Sequence, residues 1–231
     1  MLNIEKLSTT TNYTIYLKNE GADGKNFWCF LEKPEGLPTS DVFANSSASL
    51  FVQPNYGGTN KFTIPLQYIL GAGASNNAVA QGVQIDSSII KNVQLREVWE
   101  ADYATVPPNQ GPEVSIVQGA TSPDGTIGYN SNDFDKVKNE NAKWYSSMSF
   151  GIQSPNGFLG VTWSPSPSDA NTITPKFSFY ISTGSFTSFE LADIATVSKE
   201  SAKVELKDFK NLEATVILTS RGTWLVEKGK V

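Results

Sequence analysis

The sequence predicts an all-β protein, a single-domain β-sandwich of many short antiparallel strands over residues 1–231, in preference to a barrel. Apolar and polar residues alternate along many short segments, whereas the 3.6-residue period of a helix is nearly absent. Clusters of Gly, Pro and Asn separate these segments, as turns do between strands. Hydrophobic residues make up 39% of the chain, which suffices for a sizeable core and argues against a disordered protein.

Alternating or continuous apolar runs predict the positions of the strands. These runs occupy residues 12–18, 25–33, 62–70, 92–103, 176–186, 211–220 and 223–228. Within the third run, Pro65 lacks a backbone N–H, which indicates an edge strand or a bulge. The last two runs are joined around Arg221 and Gly222, and a hairpin is expected there.

Residues 147–163 give the clearest local prediction. Met148, Phe150 and Ile152 alternate with small or polar residues, as in a strand with one buried face. Asn156-Gly157 then supplies the two positive-φ residues that a tight hairpin turn requires. A hairpin is therefore expected over this segment.

The absence of histidine is the most informative count. It removes Ser-His-Asp triads, Cys-His dyads and metal sites that contain histidine. The single cysteine, Cys29, lies among apolar residues, and alone it can form neither an internal disulfide nor an all-thiolate metal site. Two carboxylates can hydrolyse a glycosidic bond, but Glu100 and Asp102 are better explained as the polar face of a strand. The protein is therefore expected not to be an enzyme and to need no cofactor.

Residues 119–143 form a polar stretch that predicts a long loop, with a short helix around 134–144. The stretch contains Asp124, Asp133 and Asp135, whose oxygens suit calcium, but their spacing is not that of an EF-hand. No metal site is assigned, and calcium binding by this loop is left open.

The charge distribution and the first residues narrow the partners and the compartment. The formal net charge is −5, and no stripe of Lys and Arg is present, so nucleic acid is not expected as a partner. Residues 1–14 lack the apolar segment of a signal peptide, and no run approaches the ~18 apolar residues of a membrane-spanning helix. The protein is expected to be made in the cytoplasm, and to be stored there or released by a non-classical route.

Residues 149–194 resemble the C-terminal half of the rhizosphere-expressed, RhiA-like proteins of bacteria. The shared pattern is a glycine-bearing strand, a hairpin, a proline-containing loop and an aromatic strand, ending here in Gly184-Ser185-Phe186 and then Glu190–Ile194. Residues 223–226 resemble the final strand of that family. Where the family pattern has a glycine, this sequence has Phe189. The resemblance implies a β protein made in a microbial cytoplasm, and it implies no catalytic activity.

Self-assembly is the leading functional hypothesis. Only 18% of the residues are charged, and a surface rich in Ser, Thr, Asn and Gly offers little repulsion between copies. An exposed edge strand around Pro65 would supply the contact, giving a homo-oligomer or an inclusion-forming microbial protein.

Two alternatives stay open beside self-assembly. The first is an insecticidal or nematicidal type of toxin that acts on a membrane surface or binds host cells, with residues 177–189 as an inserting hairpin. The second is a glycan-binding module. Its candidate contacts are Tyr56 beside Asn55 and Tyr129 beside Asn130, because an aromatic ring next to amides provides a stacking face and hydrogen bonds.

Overall fold

The computed structural model describes residues 11–105 and 111–231. Within these ranges it contains eighteen strands, two short α-helices and one 3₁₀ helix, Leu206–Asp208. The strands are β1 (Asn12–Asn19), β2 (Lys25–Leu31), β3 (Val42–Asn45), β4 (Ala48–Val52), β5 (Asn60–Pro65), β6 (Tyr68–Ser75), β7 (Ile89–Val93), β8 (Val98–Asp102), β9 (Glu113–Ile116), β10 (Ile127–Ser131), β11 (Tyr145–Ser154), β12 (Gly157–Trp163), β13 (Ala170–Ile173), β14 (Ser178–Ser182), β15 (Leu191–Asp193), β16 (Ala202–Glu205), β17 (Glu213–Leu218) and β18 (Trp224–Lys228). The α-helices are α1 (Lys136–Asn141) and α2 (Ile194–Ser198).

The strands form one six-stranded sheet and three four-stranded sheets. The six-stranded sheet has the order β15-β3-β12-β11-β6-β7, and the smaller sheets have the orders β18-β17-β1-β5, β16-β14-β2-β4 and β13-β10-β8-β9. Neighbouring strands are antiparallel except for β1 with β17 and β8 with β10, which are parallel. The predicted all-β, sandwich-like fold is confirmed.

Two large apolar cores lie between the sheets. The first core is built mainly by the sheets that contain β1 and β2, and its largest buried side chains include Ile15, Phe27, Phe62 and Phe179. The second core lies between the six-stranded sheet and the sheet that contains β10, and includes Phe150, Trp163 and Tyr129. Strand β11 contributes to both cores, since Met148 and Phe150 lie in the second and Ile152 lies in the first.

The predicted hairpin over residues 147–163 is present as β11 and β12. Its turn lies one residue earlier than expected, because Ser154 pairs with Gly157 and the two-residue loop is Pro155-Asn156. Gly157, with φ of 132°, has the positive φ, whereas Asn156 does not. Proline fixes φ near −65°, which suits the first central position of a turn and explains the shift.

Two predicted strands are each divided in the structure. The run 62–70 ends β5 at Pro65 and begins β6 at Tyr68, and the two strands belong to different sheets. The run 92–103 breaks at a turn that contains Arg96, whose φ is 75°. Its two parts, β7 and β8, also join different sheets, and Leu95 is exposed.

The segment expected to form a membrane-inserting hairpin, 177–189, contains one strand, β14, followed by a turn and not by a returning strand. In the part of the chain that the structure describes, no helix is long and apolar enough to cross a membrane.

A charged cluster joins the end of β2 to β16. Glu32 lies 2.9 Å from the Lys203 ammonium and 3.7 Å from that of Lys176, and Lys176 also contacts Glu35 at 3.1 Å. Burial raises the pKa of Glu32, but the hydrogen bond from Lys203 and the charges of both lysines outweigh it and lower the pKa overall.

Replacing Glu32 with glutamine is expected to lower the free energy of unfolding at about pH 7 by about 0.5–1 kcal/mol, because the ion pairs are partly exposed to solvent. A carboxyl whose pKa is lower in the folded state stabilises the protein above its unfolded pKa, and this contribution is lost as the pH falls through the folded pKa. Urea unfolding at about pH 7 and about pH 2 should therefore show a difference that disappears in acid. Glu35→Gln is the control, because Glu35 is largely exposed; equal losses in both variants would contradict the assignment.

Candidate functional site

The loop between β4 and β5 presents an exposed tyrosine, as the sequence predicted. Pro54 and Asn55 form its turn, and Asn55 adopts a φ of 49°, a conformation that asparagine tolerates better than most residues. The Asn55 backbone N–H donates to the carbonyl of Asn19 at 2.8 Å, which ties the loop to the end of β1. The ring of Tyr56 lies over Gly58, where a Cβ would be 2.3 Å from it, and remains 59% exposed.

A cleft of about 290 Å³ separates this loop from the end of β1. We call it the Tyr56 cleft. Besides the tyrosine, it is lined by the polar residues Lys18, Asn19, Glu20, Gln53, Asn55 and Asn60. Its volume lies near the lower end of the ~300–1,000 Å³ typical of small-ligand sites. Of the lining residues, Asn55 and Tyr56 were predicted from the sequence.

The side chain of Asn19 stabilises the Tyr56 cleft through hydrogen bonds to the backbone. Its buried amide nitrogen donates to the carbonyls of Asp23 at 2.8 Å and Val52 at 3.0 Å, and its oxygen accepts from the backbone of Gly21 at 3.0 Å. One side chain therefore joins the loop after β1 to the end of β4. The sequence carried a signal for this role, since Asn19 is a polar residue in the inward register of Ile15 and Leu17.

The second predicted tyrosine lies elsewhere. Tyr129 is fully buried in β10, where its ring packs against Trp163 at a centroid distance of 5.6 Å, so it offers no face to a glycan. The neighbouring Gly128 lies in the same strand and leaves room for the strand beside it. A Cβ on it would lie 2.9 Å from the side chain of Val98 on the adjacent strand. Asn130 is half-buried beside Tyr129, apart from the Tyr56 cleft.

Pro65 lies on an edge strand, β5, as the sequence predicted. The N–H of Thr63 points away from β1 and donates to the Asn156 side chain at 3.2 Å. The backbone N–H groups of successive residues in a strand point to opposite edges. The backbones of Lys61 and Pro65 therefore face the same outer edge as that of Thr63. Proline has no donor there, and Lys61 adds an exposed charge. The outer edge of β5 therefore offers few groups to a second chain.

Two of the three acidic residues considered for calcium have structural partners. Asp124 contacts Arg96 at 3.3 Å, and Asp135 caps the start of α1 by accepting from the backbone of Lys138 at 2.9 Å. Burial raises the pKa of the Cys29 thiol, which keeps it protonated. Within residues 11–105 and 111–231, no group of three potential metal ligands lies together.

Phe189, which stands where the RhiA-like pattern has a glycine, adopts an unusual backbone conformation. Its φ is 68°, an outlier for a bulky residue, and its side chain is 57% exposed. The turn is held by buried Ser46, whose backbone carbonyl accepts from the Phe189 N–H at 2.8 Å. The Ser46 hydroxyl also contacts the carbonyls of Thr187 at 2.5 Å and Glu190 at 2.6 Å.

Comparison of the chain with protein-family models, with curated proteins and with solved structures finds no significant match. The resemblance to the RhiA-like proteins stays a prediction, and the function has to be inferred from the surface itself.

Asn19→Ala is expected to lower the free energy of unfolding by about 2 kcal/mol, because it leaves buried backbone groups without a hydrogen-bond partner. Chemical denaturation measures this loss. Gln53→Ala is the matched control on the rim of the same cleft and should change stability by less than about 0.5 kcal/mol. A loss no larger than that of the control would contradict the bridging role of Asn19.

Phe189→Gly is expected to be more stable than Phe189→Ala by about 1 kcal/mol, because glycine adopts a positive φ without the steric cost that a Cβ brings. Both variants remove the whole ring, so their difference isolates the backbone term. Urea denaturation of the two proteins measures it, and equal stabilities would show that the turn relaxes.

Proposed function

We propose that the protein is a non-enzymatic binding protein that recognises neutral carbohydrate in the Tyr56 cleft. The observation that carries the proposal is the exposed ring of Tyr56 at the edge of a cleft lined by amide side chains. A pyranose ring has a face of C–H groups, which packs on an aromatic ring, and a rim of hydroxyls, which donate and accept hydrogen bonds.

The amides of the Tyr56 cleft suit a hydroxyl-rich ligand. Gln53, Asn55 and Asn60 each carry a donor and an acceptor group, and their side chains form no hydrogen bond with the other described residues. They are therefore free to pair with sugar hydroxyls. Asn19, by contrast, has its amide engaged by three backbone groups, so it supports the cleft rather than contacting the ligand.

The charge of the Tyr56 cleft favours an uncharged ligand. Lys18 and Glu20 line it with one positive and one negative charge, so the formal charges balance. An anion would be attracted by the ammonium and repelled by the carboxylate, and a cation the reverse, so neither gains a net attraction. A neutral sugar needs no such attraction.

Self-assembly stays a prediction, and the β5 edge gives it little support because Thr63 already donates to Asn156 and Pro65 has no N–H to offer. Membrane action likewise stays a prediction. Light scattering over a concentration series and dye release from liposomes distinguish these two activities from sugar recognition.

Tyr56→Ala is expected to weaken glycan binding at least about tenfold, a difference of about 1.4 kcal/mol, because the stacking face is lost. Tyr56→Phe keeps the ring and should retain most of the affinity. The protein is first applied to a glycan array, and the best ligand is then titrated calorimetrically against each variant.

Phe51→Ala is the matched control for this test, since Phe51 is similarly exposed but does not line the Tyr56 cleft. It should bind as the wild-type protein does. A glycan array without any response, or a Tyr56→Ala variant that binds normally, would overturn the proposal.

A further inference from the structure

A second cleft lies on the outer face of the six-stranded sheet, which we call the sheet cleft. Its volume is about 160 Å³. Phe158, Phe189 and Ile90 supply apolar surface, and Asn45, Asp86 and Gln153 supply polar groups. The residues come from β3, β7, β11 and β12, from the segment before β7 and from the turn after β14.

The segment before β7 forms one wall of the sheet cleft, because glycines let it approach the sheet closely. A Cβ on Gly73 would lie 2.7 Å from the carbonyl oxygen of Asp86, and a Cβ on Gly71 would lie 2.6 Å from the hydroxyl of Ser87. Ser87 in turn shares a hydrogen bond of 2.7 Å with Ser149 on β11. This hydrogen bond fixes the segment before β7 to the sheet.

Aromatic side chains flank the opening. Phe158 lies across Gly160, where a Cβ would be 2.3 Å from the ring, so the ring lies along the sheet instead of standing away from it. Phe189 projects from a turn of positive φ whose backbone N–H donates to the carbonyl of Ser46. A strained backbone that places a large exposed aromatic ring beside a cleft is typical of a ligand contact rather than of a core residue.

The floor of the sheet cleft carries an amide with free hydrogen-bonding capacity. Asn45 is 5% exposed, and its side-chain oxygen accepts from the hydroxyl of Thr162 at 2.9 Å. Its amide nitrogen donates no hydrogen bond to any other described residue. This nitrogen is accessible to solvent rather than buried and unpaired, so it can donate to a ligand oxygen in the cleft.

We propose that the sheet cleft binds a single six-membered sugar ring, with its C–H face between Phe158 and Phe189 and its hydroxyls on Asn45 and Asp86. The sheet cleft is smaller than the Tyr56 cleft, which limits it to one sugar ring rather than an oligosaccharide. The class of ligand rests on the proposed function, whereas the position of the site rests on the sheet cleft alone.

The two clefts lie at opposite ends of one strand. Ser47, just before β4, lines the sheet cleft, and Val52, at the end of β4, lines the Tyr56 cleft. Five residues of strand span about 17 Å. A single chain would therefore present two sugar sites, and it could cross-link glycans without forming an oligomer.

The test uses saturation-transfer NMR with the methyl glycosides of glucose, galactose, mannose and N-acetylglucosamine. The proteins compared are the wild type, Tyr56→Ala, Phe189→Gly and the double variant. Phe189→Gly removes the ring and suits the positive φ, so a folded protein is expected. Leu225→Ala is the control for loss of an exposed apolar side chain that lines neither cleft.

The expected result is that each single variant keeps part of the binding and that Phe189→Gly lowers the signal remaining in Tyr56→Ala at least fivefold. Complete loss of binding in Tyr56→Ala would overturn the proposed sugar site in the sheet cleft and would support the site in the Tyr56 cleft. Complete loss in Phe189→Gly with normal binding in Tyr56→Ala would support the sheet cleft and overturn the Tyr56 site. Absence of binding by all four glycosides would overturn the sheet cleft, and the glycan array then decides the Tyr56 site separately.

Discussion

The register of the β11–β12 hairpin is the constraint on which the structure depends. The large residues on one face of β11 enter two different cores. Phe150 lies in the second core and Ile152 lies in the first. On β12, Val161 and Leu159 divide in the same way. A slip of one residue would turn all of these side chains to the opposite face and remove them from both cores together. The turn at Pro155-Asn156 therefore sets the alignment of two halves of the molecule.

The same register determines what the outer face of the sheet can become. With the large residues directed inward, β11 shows serines and a glycine on its other side, and β6 shows Gly71 and Gly73. The small side chains of this face let a neighbouring segment lie close to the sheet. The space that this segment leaves uncovered is the sheet cleft. The alternation of large and small residues along the strands therefore determines both the packing of the inner face and the shape of the cleft on the outer face.

Features with a local cause could be predicted from the sequence, and features with a distant cause could not. Pro65 marks an edge because its missing N–H is a property of the residue itself, and Tyr56 was selected because its ring stands beside the amide of Asn55. Tyr129 stands beside an amide in the same way, but it lies in the buried strand β10, so the pattern alone was misleading. The division of run 92–103 was missed because the residues of its turn continue the alternation of polar and apolar side chains that predicts an unbroken strand. The role of Phe189 depends on Ser46, a partner far away in sequence.

The parallel pairing of β1 with β17 has a consequence for the order of events during biosynthesis. Thr14 to Asn19 align with Glu213 to Leu218, so the first core lacks one of its walls until the end of this sequence is being translated. Contacts between segments this distant in the chain form slowly, because the intervening loop must first be closed at an entropic cost. On the ribosome, the second core can assemble from residues 37–173 while Ile15 and Phe62 still lack the part of the first core that β17 supplies. A chaperone that shields nascent apolar strands would therefore act mainly on the first-synthesised part of the protein.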